Sequence, residues 1–117
     1  MQLIVRAFPL LPGAEEEVLL MAHEVQTTRA AAAREFYARM GVARESWHLQ
    51  RTPHGTWIIG VTQIADRPVA EVAEAYASSQ EPFDRWFKDR VLALSGIDPD
   101  AAPLGPPTEC IFDTAAG

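Results

Sequence analysis

Ala43-Arg44-Glu45-Ser46-Trp47-His48-Leu49-Gln50-Arg51, then Pro53-His54-Gly55, then Thr56-Trp57-Ile58-Ile59-Gly60-Val61-Thr62-Gln63-Ile64, is the stretch on which the fold turns. Two runs rich in aromatic and β-branched residues flank a short segment containing proline and glycine, which is the signature of a β-hairpin. The expected turn is Pro53-His54-Gly55. Trp47, Leu49, Ile59 and Val61 are then expected on one face, and Ile58, Gly60 and Ile64 on the other with His48 and Gln50. Neither face is purely polar, so a single layer of helices would leave apolar sheet surface uncovered.

Upstream of the hairpin, residues 2–8 (Gln2-Leu3-Ile4-Val5-Arg6-Ala7-Phe8) are short, apolar and β-prone, and Pro9 and Pro12-Gly13 end them. Ala14 to Met40 then carry apolar residues at three- and four-residue spacing, with Glu15, Glu16 and Glu17 where a helix N-terminus favours negative charge. A helix of this length outgrows a small domain, and Gln26-Thr27-Thr28 is the expected bend, because β-branched threonines are poor helix formers. Gly41 supplies a stop.

Downstream, Asp66 and Pro68 suit a helix start, with Val69, Val72, Ala73 and Tyr76 on its apolar face. Ser78-Ser79 break it. Glu81-Pro82 open another helix, with Phe83, Trp86, Phe87, Val91 and Leu94 on one stripe and Gly96 as its end. The segment 98–107 holds four prolines and a glycine and reads as a connector. Residues 108–113 are expected as a fourth strand, containing a buried, inert Cys110, and 114–117 as a tail. The order βαββαβ gives an α+β, ferredoxin-like domain over residues 1–113: a four-stranded antiparallel sheet with helices on one face.

Composition narrows the functional class. The chain has 117 residues, 48% of them hydrophobic, and a formal net charge of −6. One domain of this size forms a core without staples. Residues 1–60 are electrically balanced, so the whole excess of acid falls in the second half. That balance excludes a general nucleic-acid binder and a binder of anionic membranes. A single cysteine leaves no internal disulfide and no cysteine-based zinc site, and the expected compartment is the cytoplasm. No apolar run has the length of a membrane span. The three histidines show no metal-ligand spacing with carboxylates, so no metal and no cofactor is expected.

Several motifs together resemble one superfamily. Pro12-Gly13 before an acidic helix start, Gly41-Val42-x-x-Glu45-Ser46-Trp47 leading into the second strand, and Pro82-Phe83-Asp84-x-Trp86-Phe87 resemble dimeric α+β barrel proteins, and among them small uncharacterised bacterial proteins. The resemblance covers nearly the whole chain. It implies a homodimer in which two sheets meet face to face, and a pocket between helices and sheet that takes a small hydrophobic ligand. Members include cofactor-free monooxygenases, isomerases and haem-degrading enzymes, so an enzyme acting on an aromatic compound and a haem-binding protein are alternatives to a binding role. A shared fold does not transfer a reaction.

The candidate chemistry is sparse. His48 and Glu45 are the candidate acid–base groups, since imidazole titrates near neutrality and burial shifts a carboxyl. The competing readings are a surface histidine and a solvated glutamate. Trp47, Arg85 and Trp86 are candidate pocket residues: the indoles as walls and the guanidinium as a carboxylate clamp. Large aromatics are more often core. Asp84 and Lys88, four residues apart, are expected on a solvated helix face.

Overall fold

In a computed structural model, which describes residues 2–115, the chain is α+β, with three strands and four helices among the described residues. They run β1 (Gln2–Pro9), α1 (Glu15–Gln26), α2 (Ala30–Arg39), β2 (Val42–Thr52), β3 (Gly55–Ile64), α3 (Val69–Ser78) and α4 (Pro82–Ser95). The sheet is antiparallel in the order β1-β3-β2. The helical run upstream of the hairpin is broken over residues 27–29, where the Thr27 hydroxyl donates to the His23 carbonyl at 2.7 Å and begins the turn into α2. Gly96 ends α4 in the left-handed conformation, φ 77°, its N–H donating to the Leu92 carbonyl.

The hairpin register differs from the sequence expectation by one residue. Thr52 pairs with Gly55, so Pro53 and His54 alone form the turn, and Gly55 belongs to the strand at φ 131°. Trp47 therefore lies opposite Gly60 and Leu49 opposite Ile58, while His48 faces Ile59 and Ser46 faces Val61. Side chains alternate strictly along a strand, so counting one extra turn residue transfers every partner to the other face. An irregularity between Val42 and Arg44 then lets both Val42 and Glu45 face the helices.

All four helices lie against the face that carries Ile4, Arg6, Ile58, Thr62 and Ile64. The core is aromatic at its centre: Phe36 has the rings of Tyr37, Tyr76, Phe83 and Phe87 within 5.1–5.8 Å. The opposite face bears Leu3, Val5, Ala7, Trp57, Ile59 and Val61, with Ser46, His48 and Gln50 along β2. Among the described residues, no helix lies against it.

The fourth strand expected at 108–113 is not formed. One bridge, Arg6 to Pro107, and two hydrogen bonds from Thr108 to the Val5 carbonyl hold the chain to the edge of β1, and the segment then leaves the sheet. Ile111 is 91% and Phe112 81% exposed, and Cys110 is exposed rather than buried in a strand. A strand added here would run beside Gln2 and Leu3, which are themselves exposed, so it would gain hydrogen bonds but bury little apolar area. The connector that precedes it is ordered: Pro99, Ala102, Pro103 and Leu104 close one end of the space between sheet and helices. Gly105, at φ 64°, comes so close to the Phe8 ring that a side chain there would collide with it.

Asp84 and Lys88 are fully buried, which corrects the solvated face expected for them. Arg39 grips Asp84 with two hydrogen bonds at 2.8 and 2.7 Å, and the Ser79 hydroxyl donates a third at 2.5 Å. The Lys88 ammonium donates to the carbonyls of Tyr76, Ala77 and Ser79 at 2.9–3.1 Å and pairs with Asp100 at 2.8 Å. It thus serves as a cationic cap on the C-terminal end of α3, where the unpaired carbonyls concentrate negative potential.

Candidate functional site

Helix–sheet packing leaves a cavity of about 120 Å³. Its walls are mostly apolar: Phe8, Met21, Phe36, Ile58 and Phe87 are examples from the sheet and three helices. An engineered apolar cavity of roughly 150 Å³ accepts benzene, so this space suits a compound of about that size.

One polar cluster interrupts the apolar wall. Glu45 projects from β2 toward the helices and is 9% exposed. Its Oε1 accepts from Arg6 Nη2 at 3.3 Å and from the Thr62 hydroxyl at 2.8 Å. Its Oε2 accepts from the Tyr37 hydroxyl at 2.5 Å and from Trp47 Nε1 at 3.0 Å. Four donors thus meet a group that offers about four lone-pair sites. Burial, and then the Glu45 charge, push the Tyr37 hydroxyl far above its ordinary range, and burial does the same to Tyr76. Both phenols are protonated at neutral pH.

The sheet register builds this cluster. Arg6, at the middle of β1, pairs with Gly60 on β3, and Gly60 pairs on its other side with Trp47. Because Gly60 has no side chain, the guanidinium lies across the strand, close enough that an added methyl would rest on Arg6 Nη2 at 3.5 Å. Nη2 also donates to the Thr62 hydroxyl at 3.1 Å, so both of its hydrogens are engaged. The Nε–H of the same side chain is buried and has no partner among the described residues. Buried polar groups are nearly always paired, so a free one calls for an explanation.

Tyr37, Glu45 and Trp47 also line a second, open groove of about 340 Å³, together with Ala22, Val25 and Gln26 of α1. These three side chains therefore form the wall between the cavity and the surface.

Of the candidate residues, Glu45 and Trp47 are brought together at the cavity. The others lie elsewhere. His48 is on the uncovered sheet face, exposed, with its ring nitrogen 3.0 Å from the Ser46 hydroxyl. Arg85 pairs with Asp89 and Asp100 on the outer side of α4, and its neighbours hold its guanidinium protonated, first through the hydrogen bond to Asp100. Trp86 stacks under the Arg29 guanidinium at 3.9 Å and against Phe83. Sequence reading missed Arg6, Tyr37 and Thr62 as a set. Arginine at the centre of an otherwise apolar first strand was the visible signal; the glycine that accommodates it lies 54 positions away.

Among the described residues, no three His, Cys, Asp or Glu side chains group so as to hold a metal ion, and no helix is long and apolar enough to cross a membrane. No protein-family model matches the chain, and no curated protein matches its sequence.

Proposed function

We propose that this protein binds a small, largely apolar molecule in the cavity between helices and sheet. The observation that carries the reading is the cavity itself: an apolar space bordered at one end by the 98–107 connector, with the Arg6–Glu45 pair on its wall. Pockets of this composition, apolar with a few convergent polar groups, are the usual form of small-molecule sites. A binding role is favoured over acid–base catalysis by the state of Glu45. With four hydrogen bonds accepted, it has no lone pair free to take a substrate proton unless a donor first withdraws. His48, on the other side of the sheet, is remote from the cavity.

The test is titration of the full chain with methylcyclohexane, followed through the methyl resonances of Val18, Met21, Ile58 and Val72. Shifts confined to these cavity methyls are expected. Their absence at saturating hydrocarbon, or shifts spread over the exposed methyls of Leu19 and Leu20, overturns the reading.

The accompanying assembly is a homodimer through the open sheet face, as the resemblance to dimeric α+β barrels implies. Support comes from the apolar rows Val5–Val61 and Ala7–Ile59, with the 36%-exposed Trp57 beside them. Contiguous apolar surface of this kind marks interfaces, and twofold homodimers are the commonest oligomers. Light scattering is expected to give about twice the chain mass of 12.9 kDa, and Ile59→Asp to return it to the single-chain value without loss of secondary structure. A single-chain mass for the unaltered protein at micromolar concentration refutes the dimer.

A further inference from the structure

Two apolar surfaces lie uncovered on the β1 side of the molecule: the open sheet face, and residues 109–113 where they leave the strand edge. We propose that residues 109–113 are an arm that crosses to a second copy of this chain and seats Ile111 and Phe112 on its open sheet face, the arm's acids answering the partner subunit's Arg44. The proposal rests on the sheet-face dimer above and adds the segment that each copy contributes to the other.

The arm has a fixed root and free apolar side chains. The Thr108 N–H and hydroxyl both donate to the Val5 carbonyl, at 3.2 and 2.6 Å, which pins the root to β1. Beyond it, the hydrogen bonds of the described residues stay within the segment: Cys110 Sγ donates to the Phe112 carbonyl, and Asp113 accepts from the Ala115 N–H. Ile111 and Phe112, 91% and 81% exposed, are adjacent in the chain. Single exposed apolar residues are ordinary, whereas a contiguous pair beside an apolar sheet marks an interaction surface.

Reach permits the crossing. Facing sheets pack about 10 Å apart. Five extended residues span about 17 Å, so the arm can cross the gap and still lay its last two or three residues on the far sheet.

Charge supplies the partner. Residues 109–113 hold two carboxylates, Glu109 and Asp113, and no cation. The open face is read from the strand pairing as the rows Leu3–Gln63–Arg44, Val5–Val61–Ser46 and Ala7–Ile59–His48. It carries no carboxylate among the described residues. Arg44 is exposed and forms no ion pair among the described residues. Two such faces packed without arms would bring two arginines to one interface with no acid to answer them. The arms supply the missing acids, and electrostatic complementarity of this kind fixes partner and register.

Sedimentation equilibrium of the full chain measures the dimer, and three variants locate the arm. Phe112→Asp is expected to raise the dissociation constant about tenfold or more. Leu19→Asp, on the helical side, should leave it unchanged. Arg44→Glu should weaken the dimer about threefold or more, and adding Glu109→Lys with Asp113→Lys should restore it. A nitroxide on Thr114→Cys, in a Cys110→Ser chain, then shows where the arm lies. Mixed with a nitrogen-15 chain that lacks the label, it should broaden the Gln63 and Arg44 amides of that other chain. The arm is refuted if Phe112→Asp dimerises as tightly as the unaltered chain or Leu19→Asp weakens the dimer equally. Failure of the charge swap to restore the dimer, or broadening that is stronger within the labelled chain itself, also refutes it. In each of these cases the sheet-face dimer stands. A single-chain mass for the unaltered protein removes both.

Discussion

The cluster around Glu45 and the cluster around Lys88 and Asp84 both hold charges away from water, and both link helices to their surroundings. They differ in how completely their groups are paired. Lys88 gives its hydrogens to three carbonyls and a carboxylate, and Asp84 accepts from Arg39 and Ser79. The Glu45 cluster saturates its carboxylate but leaves Arg6 Nε free, and it stands at the wall of a cavity. The contrast separates a structural polar core from a site. Desolvating a charge costs several kcal/mol, and a protein that completes the pairing recovers stability. The Glu45 cluster instead leaves one buried donor unpaired on a side chain that lines a cavity.

Variants sharpen that contrast. The largest effect is expected from Lys88→Met. It strands three carbonyls at the end of α3 and the Asp100 carboxylate, at a cost of about 3–5 kcal/mol, read by urea denaturation. Folded protein at low temperature should still bind the hydrocarbon probe, since Lys88 lies outside the cavity lining. If ligand binding fails while the fold persists, the two clusters are not separate.

Asp84→Asn is expected to cost about 2 kcal/mol, less than Lys88→Met because Arg39 remains 36% exposed and can return to water. Its acid behaviour is the sharper readout. Burial alone would raise the Asp84 carboxyl, but the hydrogen bonds from Arg39 and Ser79 outweigh it and hold the group below the usual carboxylate range. Asp100 is held low first by the hydrogen bond from Lys88. Because these groups titrate lower in the folded state than in the unfolded one, their contribution is complete above about pH 4 and disappears as the pH falls further. The acid limb of the stability curve should flatten in Asp84→Asn. An unchanged limb would show that Asp84 does not govern acid unfolding.

Glu45→Gln tests the open cluster. Removing the negative charge leaves Arg6 uncompensated, so the lining becomes cationic. Cyclohexanecarboxylate should gain at least about tenfold in affinity over the unaltered protein, or about 1.4 kcal/mol, with little change for methylcyclohexane. Equal carboxylate binding in both forms would mean that Arg6 and Glu45 do not set the charge of the site.

Tyr37→Phe gives the smallest effect at neutral pH, about 1 kcal/mol for one hydrogen bond to Glu45. Its consequence appears in alkali. Tyr37 and Tyr76 titrate higher in the folded protein than in the unfolded chain. Their contribution is therefore complete below about pH 10 and lost as the pH rises beyond it. The variant should lose less stability between neutral and strongly alkaline solution than the unaltered chain.

Much of the fold was legible. The β1 stretch, the hairpin, the apolar stripes and the threonine break near residue 27 are local features, set by periodicity and by residues with strong backbone preferences. Three things escaped. The one-residue hairpin slip depends on whether Gly55 pairs or turns, and glycine permits either. Residues 108–113 have β-prone composition, but a strand needs a neighbour that rewards it, and the edge of β1 offers little apolar cover. Asp84 and Lys88 satisfy a helix-surface spacing rule, yet the junction of α3 and α4 surrounds both.

The candidate site divides along the same line. Glu45 and Trp47 stand two apart on one strand, so period-two alternation places them on a common face. Arg6, Gly60 and Thr62 join them only through cross-strand pairing, and Tyr37 only through the packing of α2 on the sheet. Sequence by itself determined the helical segments, β1 and the two hairpin strands, and that the sheet would keep an apolar second face. Tertiary structure decided which residues share the cavity, which charges are buried and which donor is left free. Local preference acts within a few residues, whereas burial and hydrogen-bond pairing are properties of chain segments brought together from across the sequence.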